Sequence, residues 1–422
     1  MKDAQIAIVG GGIAGLVAAA ALARRGLRPT LFEAAPDIGG RAQTRTLDDF
    51  HFNQGPHAIY PRGALNRELR SLGLSVPGHA PRVQDGLAVW GAEAHALPVR
   101  PTAGRAAAPL DRSDTACLAD TFARIAAGEC GASGAPLRAF TGALPTKVAA
   151  VIEALVRVSS YTHAPEHIDG KAALDQLRLS FSGVVYVDGG WRELTSQLAD
   201  AATAGGAVLQ REHAVVAIHR VRQGWQVEVA GQAPAPFEAV VLAVPPAAAR
   251  GLLPGSAHIA AGAGAAQPVR ASCLDLGLAS IADAVTDFAL GMEAPTYLSL
   301  HSAVAQLAPP GQGLLHLARY LAPDEAPRAA HFEELEHLAD RLRPGWRDSV
   351  AHRQRLIGLT VAHDYPRWRR GGGRTAVVVA DAPGAFLAGD WVGDEGMLSD
   401  AAAASAVLAA REAAAFIAGV PA

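Results

Sequence analysis

Short apolar runs alternate with a helical pattern over the first 40 residues of the chain. Apolar runs at 5–9 and 28–33 predict two strands, and the apolar spacing over 13–25 predicts a helix between them. Gly26 marks the end of that helix. The order strand, helix, strand is that of a βαβ unit, which places the two strands parallel in one sheet.

Later blocks of the chain repeat these signals. The continuous apolar runs predict strands that are covered on both faces of a sheet, and Pro245 and Pro246 end one of them. The predicted elements are strands at 186–187, 207–218, 239–244, 376–380 and 385–388 and a helix at 191–204.

Two intervening stretches have a different character. The stretch 113–182 has helical spacing with little strand signal, whereas 251–374 mixes elements. In the second stretch the pattern predicts strands at 272–278 and 314–320, an amphipathic helix at 332–342 and a loop at 367–374. We therefore predict two discontinuous domains, one from 1–75, 185–250 and 375–422 and the other from 76–184 and 251–374.

Composition excludes several classes of protein. The 422 residues include 37 basic and 40 acidic ones, so the chain lacks the positive charge that nucleic-acid binding needs. Cys117, Cys130 and Cys273 form no CxxC pair, which argues against a disulfide framework or a zinc site and favours a reducing, cytoplasmic setting. The glycine-broken apolar run at the N-terminus predicts a buried strand and not a signal peptide. No stretch has the roughly 18 uninterrupted apolar residues of a membrane span, so we expect any membrane contact to be peripheral.

A glycine-rich turn follows the first predicted strand directly. Gly10, Gly12 and Gly15 form a GxGxxG pattern at the opening of the helix, and Glu33 closes the second strand. In such a turn the first glycine permits the tight bend, the second lets a pyrophosphate approach the backbone and the third lets helix and strand pack closely. The helix N-terminus offers unpaired N–H groups to the anion, and the acid accepts from ribose hydroxyls. The pattern predicts a Rossmann-type dinucleotide site.

Two further motifs indicate which dinucleotide is bound. Residues 33–41 read EAAPDIGGR, and residues 386–402 read FLAGDWVGDEGMLSDAA. With these motifs the chain resembles the flavin amine oxidase and phytoene desaturase superfamily. The resemblance implies an α/β fold, in which a Rossmann-type FAD-binding domain is joined to a discontinuous α+β substrate domain. It also implies noncovalent FAD, because no cysteine stands at 381–387.

The same resemblance implies roles for individual residues. Asp390 would contact the ribityl and pyrophosphate region, and Arg41 would serve the pyrophosphate. The helix that begins near Met397 would point its positive end at the flavin ring, and the segment around 188–218 would bring the Val215 backbone to the adenine. The expected cofactor contacts are Gly10, Gly12, Ile13, Ala14, Gly15, Glu33, Ala34, Gly40, Arg41, Gly55, Pro56, His57, Val215, Gly389, Asp390, Met397 and Leu398.

Within the superfamily the chain is more similar to the bacterial desaturase branch. Many amine oxidases of the family place a lysine near flavin N5 on the strand that here spans 268–277, and this stretch has none. Several also place a tyrosine of an aromatic cage where Met397 stands. Residues 53–60, NQGPHAIY, resemble the desaturase segment beside the flavin ring, and 297–301, 319–321 and 361–366 resemble substrate-domain segments.

His57 and Trp391 are the candidate catalytic residues. An imidazole beside the flavin titrates in a useful range and could bind substrate or remove a proton, although His57 could equally fix its own loop. Trp391 either walls the flavin or packs the sheet. We interpret His301 and His363 as histidines whose hydrogen bonds are satisfied within the protein, and we predict no metal site.

The leading hypothesis is an FAD-dependent oxidoreductase that desaturates or dehydrogenates a mostly apolar small molecule, such as an isoprenoid or another secondary metabolite, by hydride transfer to flavin N5. The alternatives are an amine oxidase that lacks the usual lysine and cage, and a flavin-dependent isomerase without net redox turnover. The chain has no second GxGxxG motif after a strand, so we expect oxygen or a quinone as the electron acceptor.

Overall fold

The computed structural model describes residues 5–99, 109–281 and 286–419. Its strands, in chain order, are Ile6–Val9 (β1), Thr30–Phe32 (β2), Thr44–Leu47 (β3), Phe50–Asn53 (β4), Gly78–His79 (β5), Leu87–Trp90 (β6), Glu93–Ala96 (β7), Tyr186–Val187 (β8), Val208–Gln210 (β9), Val215–Arg220 (β10), Trp225–Val229 (β11), Ala235–Phe237 (β12), Ala239–Leu242 (β13), Val269–Leu278 (β14), Phe288–Gly291 (β15), Thr296–Leu300 (β16), Gly313–Tyr320 (β17), Val350–Ala362 (β18) and Ala385–Leu387 (β19). Its α-helices are Ile13–Arg24 (α1), Ala64–Ser71 (α2), Arg112–Ala127 (α3), Leu137–Thr141 (α4), Thr146–Ser160 (α5), Gly170–Ser180 (α6), Arg192–Ala204 (α7), Pro246–Leu252 (α8), Ala257–Ala265 (α9), Ala330–Leu342 (α10) and Leu398–Ile417 (α11).

A parallel sheet forms the first part of the fold. Among the described residues its strands run in the order β19, β13, β1, β2, β9, and β1 is buried along its whole length. Helix α1 packs against α11 and α7 in the core that covers this sheet. The three-stranded sheet of β10, β11 and β12 joins the same core, where the rings of Phe32 and Phe237 meet edge to face. The predicted α/β fold is confirmed.

Two sequence predictions in this part are wrong. Residues 376–380 form no strand, because the chain turns back after them and only Thr375 and Val378 make isolated bridges. The predicted strand at 207–218 is interrupted at Glu212, whose backbone is left-handed (φ 58°). It is therefore split into β9, in the parallel sheet, and β10, in the three-stranded sheet.

A second, mixed sheet has the strand order β18, β14, β17, β16, β15, β6, β7. One face of its central strands is built from leucines, such as Leu274 and Leu315, that pack against α10. Helices α3 to α6 form the predicted helical stretch at 113–182 and pack in the core that holds the other face of the sheet. The strand β18 was not predicted, because its exposed Arg353 and Arg355 alternate with half-buried residues that include the polar Gln354.

The described residues form separate hydrophobic cores, each built from several segments of the chain. One core draws on segments that include β1, α7 and α11, and two others draw mainly on α3 to α6 and on the mixed sheet. Ile259 of α9 belongs to the first core, although its sequence lies beyond the predicted boundary at 250. The predicted ranges also include residues 1–4, 100–108, 282–285 and 420–422, which lie outside the described residues. The domain boundaries stay a prediction.

None of the helices in the described part of the chain combines the length and the apolar character that crossing a bilayer requires.

Candidate active site

A cavity of about 940 Å³ opens at the carboxyl ends of the parallel strands. Residues that follow three neighbouring strands line it, namely Gly10 after β1, Glu33 after β2 and Ala243 after β13. The carboxyl edge of a parallel sheet is where α/β proteins bind nucleotides, because backbone amides and helix N-termini converge there. The position of this cavity matches the predicted dinucleotide site.

The glycine turn shapes one wall of the cavity. Gly10 has φ +106°, and a Cβ there would overlap the carbonyl of Ala243, so only glycine fits. A Cβ on Gly15 would overlap the carbonyl of Gly10, whereas one on Gly12 would meet nothing closer than the Gly39 oxygen at 3.9 Å. Gly12 is the N-terminal cap of α1, and no side chain accepts a hydrogen bond there. No acid lies in the first turn either, so the N–H groups at the start of the helix can bind an anion.

Glu33 faces the cavity from the end of β2. Its Oε2 accepts the amide proton of Gly11 over 2.7 Å, and its Oε1 accepts that of Ala35 over 2.8 Å. These two bonds hold the carboxylate at a fixed place and leave further lone pairs on each oxygen. The arrangement suits an acceptor for ribose hydroxyls, as the motif predicts.

Asp390, which lies near the other end of the sequence, belongs to a cluster of charged side chains. Its carboxylate is buried and accepts from Arg41 Nη1 over 2.7 Å, while His363 Nδ1 lies 3.2 Å away. Although burial alone would raise the pKa of Asp390, the Arg41 and His363 side chains hold it far below its ordinary value. Arg41 also donates to the Val361 carbonyl over 2.6 Å. The structure thus brings together the two residues expected at the pyrophosphate.

The last helix begins at the cavity. Met397 is the N-terminal cap of α11 and is buried, and the next residue, Leu398, lines the cavity. Within the first turn, Asp400 Oδ1 accepts the amide proton of Leu65 over 2.9 Å, which ties α11 to α2. Burial raises the pKa of Asp400 to about 6. The helix end carries the partial positive charge that the resemblance places at the flavin ring.

Most of the predicted cofactor residues line this one cavity. They are Gly10, Gly12, Ile13, Ala14, Glu33, Ala34, Gly40, Arg41, Pro56, His57, Val215, Gly389, Asp390 and Leu398. Gly15, Gly55 and Met397 do not line it and act on its shape instead. Gly55 has φ +78°, and a Cβ there would lie 3.0 Å from Cys273 Sγ. The size of the cavity, the glycine turn and the uncapped helix end all fit FAD.

A second cavity of about 520 Å³ adjoins the first. The two share His57, Ala58, Tyr161 and Leu398, so a molecule in one can reach a molecule in the other. The described lining of the second cavity is mostly apolar and aromatic, with Gln84, Ser159 and Ser180 among its polar residues, and contains no Asp, Glu, Lys or Arg. Its volume is in the range of small-molecule sites.

His57 stands where the cavities meet, while Trp391 does not. His57 Nδ1 donates to the Gly55 carbonyl over 3.0 Å, its ring touches Trp191, and burial lowers its pKa. The residue therefore fixes its own loop and also faces both cavities. Trp391 lines only the cofactor cavity, is fully buried, and donates through Nε1 to the Val244 carbonyl. Trp391 therefore forms part of the wall of the larger cavity.

Most of the residues that line the second cavity were not predicted from the sequence. Tyr161, Tyr186 and Tyr297 come from three separate segments, and no local pattern connects them. His301, interpreted as a satisfied histidine, lines the cavity, and its Nδ1 has no hydrogen-bond partner in the described part of the chain. His363 matches that interpretation through its contact with Asp390. Among the described residues, no three or more His, Cys, Asp or Glu side chains are grouped so that they could hold a metal ion.

Comparison with known proteins agrees with this geometry. The family model described as flavin containing amine oxidoreductase matches residues 13–272. The L-amino acid oxidase Cdc18 of Crotalus durissus cumanensis is 39% identical over 73 residues, 17% of this chain and 15% of the relative. The 4,4'-diapophytoene desaturase of Staphylococcus haemolyticus is 47% identical over 54 residues, 13% of this chain and 11% of the relative. These matches thus span less than a sixth of each relative's length.

Similarity to solved structures extends over nearly the whole chain. The crystal structure of an oxidoreductase from Methanosarcina mazei superposes with a TM-score of 0.76 at 17% identity, covering 97% of this chain and 100% of the other. At that identity the similarity establishes the fold.

Proposed function

Because the chain belongs to the flavin containing amine oxidoreductase family, with FAD as its cofactor, we propose that it is an FAD-dependent oxidoreductase that desaturates or dehydrogenates a mostly apolar small molecule. An isoprenoid or a similar secondary metabolite is the proposed substrate class. FAD, when bound, supplies the acceptor for the hydride that leaves the substrate carbon.

The observation that carries this proposal is the apolar cavity that opens onto the cofactor cavity. Its described lining contains no Asp, Glu, Lys or Arg. It contains two histidines, His57 and His301, and burial lowers the pKa of both. An apolar molecule gains free energy by entering such a cavity. Its walls also exclude water from the reacting carbon, and His57 and Tyr161 stand at the junction where that carbon would lie.

Amine oxidation is the second candidate, and the family itself favours it. An amine is cationic at neutral pH, and the described lining offers no carboxylate to balance that charge. The strand that carries a lysine in many amine oxidases is β14, which presents Cys273 to the cofactor cavity. Aromatic side chains, including Tyr186 and Tyr297, would be the only described groups available for a cation–π contact.

Anaerobic bleaching of the FAD-loaded protein tests the proposal. The protein is mixed with apolar compounds (squalene, farnesol, oleic acid) and, in parallel, with primary and secondary amines, and the products are analysed by mass spectrometry. We expect bleaching by an apolar compound and a product lighter by two hydrogens. Bleaching by amines alone would establish the amine oxidase, and a product of unchanged mass formed without flavin consumption would establish an isomerase.

The remaining partners are proposed on chemical grounds. We propose noncovalent FAD, which acid denaturation should release into the supernatant, and oxygen or a quinone as the acceptor that reoxidises it. Reoxidation rates with air and with a soluble quinone distinguish the two acceptors. We also propose a cytoplasmic location with peripheral membrane contact if the substrate is a long hydrocarbon, which cosedimentation with liposomes tests.

A further inference from the structure

A row of polar side chains crosses the mixed sheet on the face opposite α10. Gln354, Asp275 and His316 lie directly opposite one another on the adjacent strands β18, β14 and β17. Asp275 and His316 are fully buried, and their neighbours on the other face are leucines. Burying a carboxylate beside an imidazole costs free energy unless hydrogen bonds compensate for it, so this row is not explained by packing.

Hydrogen bonds fix the orientation of this row. His316 Nδ1 donates to Asp275 Oδ1 over 2.6 Å, and Gln354 Nε2 donates to Asp275 Oδ2 over 2.8 Å. Because an ionised carboxylate only accepts, the proton of neutral His316 is on Nδ1. In the neutral form of His316 the Nε2 atom is a bare acceptor, and in the described part of the chain this buried atom has no partner.

His301 stands between this row and the substrate cavity. Its ring centroid lies 4.3 Å from that of His316, and its other side is stacked on Tyr186 at 3.6 Å. Nε2 of His301 is 2.9 Å from the hydroxyl of Tyr297, which also lines the cavity. If Tyr297 donates to this nitrogen, the proton of neutral His301 is on Nδ1, a buried donor without a partner among the described residues.

In their neutral forms, these two adjacent buried rings thus carry one donor and one acceptor that have no partner among the described residues. The two ring centroids lie 4.3 Å apart, and a hydrogen bond between these two nitrogens would complete a path from the cavity to Asp275. Leaving such atoms unpaired is unfavourable, and a catalytic role is one explanation for a buried polar atom without a partner. Burial lowers the pKa of His301 well below its ordinary value, so the ring is neutral at rest and would pass a proton on to His316 and not hold it.

We propose that Tyr297 and His301 accept the proton that the substrate loses, and that His316 receives it from them and is held as a cation by the Asp275 carboxylate. The inference rests on the proposed desaturation and names a proton acceptor for it. Tyr297 and His301 are catalytic residues in this proposal because they line the cavity, and His316 and Asp275 are positioning residues behind them.

The step balances in atoms and electrons. One substrate carbon loses hydrogen with its electron pair to FAD, and the C–H bond of the neighbouring carbon supplies the pair for the new double bond. The proton from that second bond passes to the Tyr297 oxygen while the phenol proton moves to His301 Nε2. His301 then passes its Nδ1 proton to His316 Nε2, and the resulting cation is paired with the Asp275 carboxylate until release to water.

Rapid-reaction kinetics on the FAD-loaded protein test this assignment. We compare wild type with Tyr297→Phe, His301→Gln and Asp275→Asn, using an apolar compound that bleaches the flavin. His331→Gln is the matched control, since His331 is a buried histidine that lines neither cavity. We expect Tyr297→Phe and His301→Gln to slow flavin reduction at least 100-fold with substrate Kd within threefold, and the control to stay within threefold of wild type.

An isotope effect separates proton removal from general disruption of the site. In His301→Gln, deuterium on the proton-losing carbon should slow the reaction more than it does in wild type, because proton loss has become limiting. Rates within threefold of wild type in Tyr297→Phe and His301→Gln would overturn the relay and leave desaturation standing. If no apolar compound bleaches the wild-type flavin, desaturation fails and the relay fails with it.

Nitrogen NMR of histidine-labelled, FAD-loaded protein provides a readout independent of turnover. We expect His301 to be neutral at pH 7 and His316 to carry its proton on Nδ1, with this signal changed in Asp275→Asn. A doubly protonated His301 at pH 7 would overturn the proposal, because such a ring cannot accept a proton.

Discussion

Arg41 and Asp390 form an ion pair in the wall of the cofactor cavity, with Arg41 Nη1 2.7 Å from Asp390 Oδ2, although 349 residues separate them in the chain. Arg41 follows the first βα unit, and Asp390 follows the last strand of the parallel sheet. The pair therefore links the two ends of the sequence at the site of the cofactor.

Replacing Arg41 by glutamine should weaken both FAD binding and the fold. Among the described residues the buried Asp390 carboxylate would keep only His363 as a partner, so we expect a loss of about 1–3 kcal/mol in unfolding free energy and about 10- to 100-fold in FAD affinity. Arg67→Gln breaks the exposed pair with Glu395 and should cost less than about 1 kcal/mol. Urea unfolding and flavin titration measure these effects, and equal losses in both variants would contradict the role of Arg41.

The raised pKa of Asp400 predicts a specific dependence of stability on pH. With a pKa of about 6 in the folded protein and an ordinary value of 3.8, the folded state binds more protons between these values. As pH rises through that window, the contribution of Asp400 to the unfolding free energy of wild type therefore falls, by up to about 3 kcal/mol.

Asp400→Asn should remove this contribution. Relative to wild type, the variant should gain stability as pH rises from about 4 to about 6 and show no further relative change above that. Urea unfolding at several pH values measures the difference, and Asp120→Asn on the exposed face of α3 is the control. A difference between Asp400→Asn and wild type that does not vary with pH would show that the carboxyl titrates normally.

Substitutions at two glycines of the turn should separate effects on stability from effects on cofactor binding. Gly15→Ala would drive a Cβ into the Gly10 carbonyl and should cost about 3 kcal/mol in stability. Gly12→Ala has room, with the nearest atom 3.9 Å away, so the FAD-free protein should stay within about 1 kcal/mol of wild type. The same methyl group would occupy the path of the pyrophosphate and should weaken FAD binding more than 100-fold. Normal FAD affinity in Gly12→Ala would contradict the predicted approach of the cofactor.

Filling the second cavity should block the substrate and spare the cofactor. Val158 lines only the apolar cavity, so Val158→Trp should lower the affinity for an apolar compound at least tenfold with FAD loading unchanged. Val378→Trp, at an exposed position (40%), is the matched control. Fluorescence competition with oleic acid measures the affinity. Unchanged binding in Val158→Trp would place the substrate elsewhere.

The glycine turn and the cavity beside it, which we assign to the cofactor, could be expected from the sequence because their main parts are local. Gly10, Gly12 and Gly15 act through backbone geometry within one turn, and Glu33 follows at the end of the adjacent strand. The spacing of these residues already specifies the tight bend, the close approach and the free amides. The second motif, around Asp390, directly precedes a helix, so its position could be inferred as well.

The substrate cavity and the polar row were decided by tertiary structure alone. Asp275, His316 and Gln354 face one another because β14 is paired with β17 and β18 in one register, and a shift by one residue would turn their side chains to the leucine face. Each of them looks unremarkable in its own segment of sequence. Strand register and long-range packing depend on contacts between distant parts of the chain, which a local pattern of residues does not contain.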